Sequence, residues 1–116
     1  MIDLYNFDQT SVNFDEKKGS LKIAGISMME DSLEFYAETK NKIDAYFLNN
    51  SSSITAEFEL TYFNSSSAKQ FIQILSRLEN NKGNVLWKFP EGNSIMEDRG
   101  KELEILLDVP FKFIPV

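Results

Sequence analysis

From Ile54 to Phe63 the chain alternates, with Ile54, Ala56, Phe58, Leu60 and Tyr62 on one side and Thr55, Glu57, Glu59 and Thr61 on the other. A repeat of two is that of a strand with one buried face. Val12 to Phe14 and Leu21 to Gly25 show the same repeat, and Asp15-Glu16-Lys17-Lys18-Gly19 between them carries turn chemistry, which predicts an antiparallel hairpin. Ile2 to Phe7 reads as a further strand ahead of it. The period then lengthens. Ala68, Phe71, Ile72, Leu75 and Leu78 recur at the spacing of a packed amphipathic helix, which Asn81-Lys82-Gly83 brings to a stop. An earlier helix opens on Asp31 and Glu34 as a capping box and runs to Leu48. Its stripe of Leu33, Tyr36, Ala37, Ile43 and Phe47 is interrupted by Lys40. Val85 to Phe89 reads as a strand closed by Pro90, Ser94 to Leu107 as an acidic helix containing Gly100, and Phe111 to Ile114 as a last short strand after Val109-Pro110.

The order βββ-α-β-α-β-α-β predicts one α/β domain over residues 1–116. Its mixed sheet begins with the antiparallel hairpin and continues through right-handed, parallel α-β-α-β-α-β crossovers. Lys22, Glu57, Glu59 and Lys88 at alternate strand positions leave part of one sheet face wet.

Composition narrows the chemistry. The 116 residues contain no cysteine and no histidine, which removes disulfides, thiolate nucleophiles, thiolate or imidazole metal sites and Ser-His-Asp triads. An enzyme would have to be built from carboxylates, Lys or Tyr, and the expectation is a protein without catalysis, cofactor or metal. The formal charge is −6 and the basic residues are scattered, so no patch offers itself to nucleic acid or an anionic membrane. No apolar run is long enough to span a bilayer, and Met1-Ile2-Asp3-Leu4-Tyr5 lacks the basic and apolar regions of a signal peptide. The expected location is the cytoplasm.

Candidate chemistry concentrates where the alternating strand runs into Asn64-Ser65-Ser66-Ser67 and the second helix begins. One reading is capping: Asn64 or a serine accepts a bond from an orphan helix N–H, and Ser67 with Gln70 makes a second capping box. The other is functional, because three hydroxyls exceed what one cap uses, and the surplus would sit at the positive end of a helix dipole, where a phosphoryl group is welcome. The residues alone leave both open. Other constellations read as structural. Glu97, Asp98, Glu102 and Glu104 fit a solvated helix face better than a metal site, Glu57 and Glu59 a wet strand face, and Trp87 core. Met28 and Met29 suit either core filling or a partner surface.

These residues resemble the SiaC-type regulatory phosphoproteins of bacteria. The resemblance rests on Val12-Asn13-Phe14-Asp15 with Gly19 and Leu21, on Leu33-Glu34-Phe35-Tyr36, and above all on Phe58-Glu59-Leu60-Thr61-Tyr62-Phe63-Asn64-Ser65-Ser66-Ser67-Ala68-Lys69. Gly100 and Val109-Pro110-Phe111 extend it almost to the end of the chain. It implies a partner-switching protein, phosphorylated in the serine turn by a cognate kinase and restored by a PP2C-type phosphatase. The unphosphorylated form binds a target, a diguanylate cyclase in the best-known members, which implies a place in cyclic-di-GMP signalling and biofilm regulation. In layout the chain also looks like the anti-sigma-factor antagonists. By position in the motif the acceptor is Ser65, where the family often has Thr, and Asn64, Ser66, Ser67 and Lys69 form the contact rim. Against this switch stand two other classes: a small enzyme, and a constitutive scaffold or small-ligand-binding module whose serine turn is purely structural.

Overall fold

Two rows of side chains cross the sheet and carry the core: Val12, Ile23, Phe58, Trp87 and Phe113, and beside them Phe14, Leu21, Ala56, Val85 and Phe111. In the computed structural model, which describes residues 9–116, these rows belong to β1 (Gln9–Asp15), β2 (Ser20–Ser27), β3 (Thr55–Phe63), β4 (Asn84–Phe89) and β5 (Phe111–Pro115), lying in sequence order. The strand expected over Ile2 to Phe7 falls outside the described residues. β1 pairs antiparallel with β2, and the remaining neighbours are parallel. The mixed sheet and the element order over the described residues are thus as the hydrophobic pattern predicts.

The hairpin turn is fixed locally. The Asp15 carboxylate accepts the backbone N–H groups of Lys17 and Lys18, at 3.0 and 3.2 Å, and Gly19 closes the turn at φ 62°. Three crossovers of one hand then place α1 (Ser32–Asn49), α2 (Ser65–Glu79) and α3 (Ser94–Leu106) on the same side of the sheet. Phe71 of α2 sits at the centre of that side, edge-on to Tyr36, Phe58 and Phe63. No helix among the described residues covers the opposite face. There Lys22 pairs with Glu57 at 3.2 Å and Lys88 with the same carboxylate at 3.3 Å, across three strands.

Four details differ from the pattern, each for a physical reason. Gly25 pairs with Leu60 but Ile26 with Tyr62, so Thr61 is an extra residue in β3. This bulge shifts the alternation: Tyr62 turns to solvent and Phe63 takes the buried place. On α2 the buried stripe is Phe71, Ile74, Leu75 and Leu78, while Ile72 lies at its edge, partly buried. On α1, Leu33 is exposed and Lys40 is buried in the stripe it was expected to interrupt. Finally, Gly100 allows α3 its close approach to the sheet, because a Cβ there would stand 2.5 Å from the Trp87 indole nitrogen. Trp87 itself is core, stacked on Phe58 and donating its N–H to the Met96 carbonyl at 3.0 Å.

Candidate phosphoacceptor site

Because β2, β3 and β4 run parallel, their C-terminal ends and the N-termini of α1, α2 and α3 gather at one end of the sheet. Each helix is capped by an acidic or amide side chain: Asp31 accepts from Glu34 N, Asn64 from Ser67 N at 2.8 Å, and Asn93 from Met96 N. The three starts differ in charge. α1 and α3 carry Glu34 and Glu97 in their first turns, whereas α2 has no acidic residue there and presents serines in their place. The positive end of the α2 dipole therefore lacks the carboxylate that the other two possess.

Asn64 is fixed from two sides. Its N–H donates to the Ser27 carbonyl at the end of β2, at 3.0 Å, and its own carbonyl accepts from Ala68 N. The three serines that follow are treated very unequally. Ser67 is fully buried, and its hydroxyl donates to the Ser27 carbonyl at 3.0 Å while accepting from the Ser27 hydroxyl at 2.7 Å. The Ser27 hydroxyl also bonds the Tyr36 hydroxyl at 2.7 Å, so a chain of hydroxyls links α1 through β2 to α2. Ser66 is half-buried and bonds the hydroxyl of Ser32 in the first turn of α1. Ser65 is exposed, and its hydroxyl has no hydrogen-bond partner among the described residues.

Two cations flank the turn. Lys69 is exposed, one helical turn beyond Ser65. Arg99, projecting from α3, donates from Nη1 to the Phe63 carbonyl. Its guanidinium carbon lies 3.8 Å from the centre of the Phe63 ring and 5.8 Å from that of Tyr62. Among the described residues, no group of His, Cys, Asp and Glu is placed to hold a metal ion, and no helix is long and apolar enough to cross a membrane.

A family model described as the SiaC family regulatory phosphoprotein matches residues 6–116. The chain belongs to the SiaC family. No curated protein matches it. Among solved structures, the complex of the diguanylate cyclase SiaD with its activator SiaC from Pseudomonas aeruginosa is similar with a TM-score of 0.88 at 20% identity, covering 96% of this chain and 95% of that one. Apo-SiaC from Pseudomonas aeruginosa gives 0.86 at 19% identity, with 98% and 97% covered. At such identities the likeness is one of fold.

Within this SiaC-family fold the residues singled out from the sequence separate into layers. Ser65 and Lys69 lie outermost, Asn64 and Ser66 are half-buried, and Ser67 is inside. Ser67 therefore does not belong to a contact rim. Nor does it form the expected box with Gln70, because the cap is Asn64, three residues earlier, and the Gln70 carbonyl oxygen accepts from Lys40 Nζ at 2.6 Å. Of the methionines ahead of α1, Met28 is exposed and Met29 buried. Sequence reasoning missed Ser27, Ser32, Tyr36 and Arg99 as neighbours of the turn. They reach it from β2, α1 and α3, and no local spacing announces them.

Proposed function

We propose that the chain is a phosphorylation-controlled protein–protein switch with Ser65 as its acceptor. The observation that carries this reading is the unequal use of the three adjacent hydroxyls. Ser66 and Ser67 are bonded into the fold, and Ser65 alone of the three is exposed and unbonded. A kinase needs a hydroxyl that it can surround, and modifying Ser67 would first require breaking the buried chain to Tyr36. The acid-free start of α2 supports the same choice, since a phosphoryl group there meets free backbone N–H groups and the positive dipole end.

The neutral turn, with Asn64, Ser66 and Lys69 around Ser65, docks on a target. Phosphorylation adds about −1.5 to −2 charges at its centre, and an acidic or apolar partner surface no longer closes over it. The SiaC–SiaD complex motivates a diguanylate cyclase as the target, and the family's description as regulatory phosphoproteins motivates a cognate kinase and a phosphatase; the PP2C type of that phosphatase and the cytoplasmic setting follow from the resemblance alone. In this reading the chain performs no catalysis of its own.

Phosphosite mapping of the protein isolated from its native cell, with pull-downs of wild type, Ser65→Ala and Ser65→Asp, tests the proposal. Ser65→Ala is expected to abolish the phosphate, bind the target constitutively and unfold within about 0.5 kcal/mol of wild type, because no bond of the fold is lost. Ser65→Asp is expected to weaken binding in part, as one carboxylate carries less charge than a phosphate. Phosphate on Ser66 or Ser67 would move the acceptor. Its absence from all three, with an alanine variant that binds as wild type does, would leave a constitutive scaffold with a structural serine turn.

A further inference from the structure

Arg99 stands out in a chain with an excess of acid, 18 Asp and Glu against 12 Lys and Arg. Five of the twelve basic side chains reach a carboxylate, and of the two arginines Arg77 pairs with Asp44 while Arg99 pairs with none among the described residues. Its guanidinium instead rests on the Phe63 ring and donates to the Phe63 carbonyl. That carbonyl belongs to the peptide joining Phe63 to the α2 cap, Asn64. Ser65 lies two positions beyond Phe63, a span of at most about 7 Å between α-carbons. A guanidinium carries five N–H donors, and the carbonyl occupies one of them.

We infer that Arg99 is the built-in receiver of a phosphate on Ser65: a guanidinium parked on a backbone carbonyl and an aromatic ring until an anion arrives. This inference rests on the reading of Ser65 as acceptor and adds what the modified form does. A phosphate dianion offers a stronger acceptor than a neutral carbonyl, in a geometry that a planar fork meets with two bonds. The new pair ties α3 to the start of α2. It also draws the guanidinium from beside Tyr62, whose exposed ring lies 5.8 Å away on the adjoining surface. Phosphorylation then alters the docking surface in two ways, through the charge on Ser65 and through the loss of the cation beside Tyr62.

Phosphoserine inserted at position 65 during translation separates this question from the choice of acceptor. The probe is the second ionisation of that phosphate, followed by phosphorus NMR in wild type, Arg99→Gln, Arg99→Lys and Lys69→Gln. A paired phosphate ionises more readily, and the α2 dipole is common to all four proteins. Arg99→Gln is expected to raise the second pKa by about half a unit at low salt, and Arg99→Lys, which keeps the charge, by less. Lys69→Gln is expected to change it least, and 0.5 M salt to shrink all the differences. A pKa unmoved by both Arg99 variants, or moved only by Lys69→Gln, would overturn the inference. Absence of phosphate from Ser65 in the native cell would sink the acceptor reading, while the titration would still report on Arg99.

Discussion

A methyl group on Gly100 would lie within 2.6 Å of three atoms of the Trp87 indole, a side chain that is 1% exposed and bonded to Met96. In an open helix, replacing glycine by alanine gains about 1 kcal/mol of helix propensity. Here the clash reverses the sign, since the indole cannot yield without breaking its hydrogen bond and its stack on Phe58. Gly100→Ala is expected to destabilise the fold by about 1–3 kcal/mol, as read from urea unfolding followed by Trp87 fluorescence. The sequence shows this glycine only as a flaw in a helix. Its purpose becomes visible when the partner ring, thirteen residues earlier on β4, is set against it.

At the scale of the elements, α1 and α2 meet along a seam whose centre is polar. Lys40 is buried there, and its ammonium donates to Gln70 at 2.6 Å and to Gln73 at 2.9 Å, with no carboxylate among the described residues to neutralise it. Arg77 nearby spends its charge on Asp44 at 2.9 Å. Burial, and secondarily the field of Arg77, hold the Lys40 pKa below the usual lysine value. In the range between that lowered value and the ordinary one near 10.4, the unfolded chain binds more protons than the folded one, so this contribution to stability rises with pH. Below the lowered value the cost of the buried charge is paid in full. Lys40→Met removes the dependence. The stability of wild type relative to the variant, from urea unfolding at pH 7 and pH 9.5, is therefore expected to rise with pH.

Lys40 also marks what was legible in the chain. The helices and strands were readable because their apolar residues recur at fixed periods, and the two hairpin strands because Asp15 to Gly19 spells a turn. The α1 stripe was misread at Lys40 because a period counts lysine as polar, while its solvating partners lie thirty residues further on. The serine turn was legible as a helix start. The ranking of its hydroxyls was not, since it depends on Ser27, Ser32 and Tyr36, which only the tertiary fold delivers.

At the scale of the whole molecule, the sheet is asymmetric: helices cover one face, and the other is laced by charges. Partial burial raises the Glu57 pKa, but Lys22 and Lys88 outweigh it and hold the carboxyl below its usual value. A depressed carboxylate stabilises the fold above its unfolded pKa, near 4.3, and that contribution vanishes as pH falls through the folded value. Glu57→Gln is expected to cost about 0.5–1 kcal/mol at neutral pH and nothing once both forms are protonated near pH 2, as measured by denaturant unfolding at the two pH values. The order of strands in that sheet has a kinetic consequence as well. β1 to β5 are laid side by side in the order in which they are synthesised, so none of these five has to be inserted between two already in place. Every pairing among these five strands closes a loop no longer than one crossover helix and its turns, a smaller closure entropy than a sheet of shuffled strand order would carry. On the ribosome such a sheet grows from one edge, each new helix and strand docking on the edge left by the last, and the Ser65 turn acquires its β2 support as soon as α2 emerges.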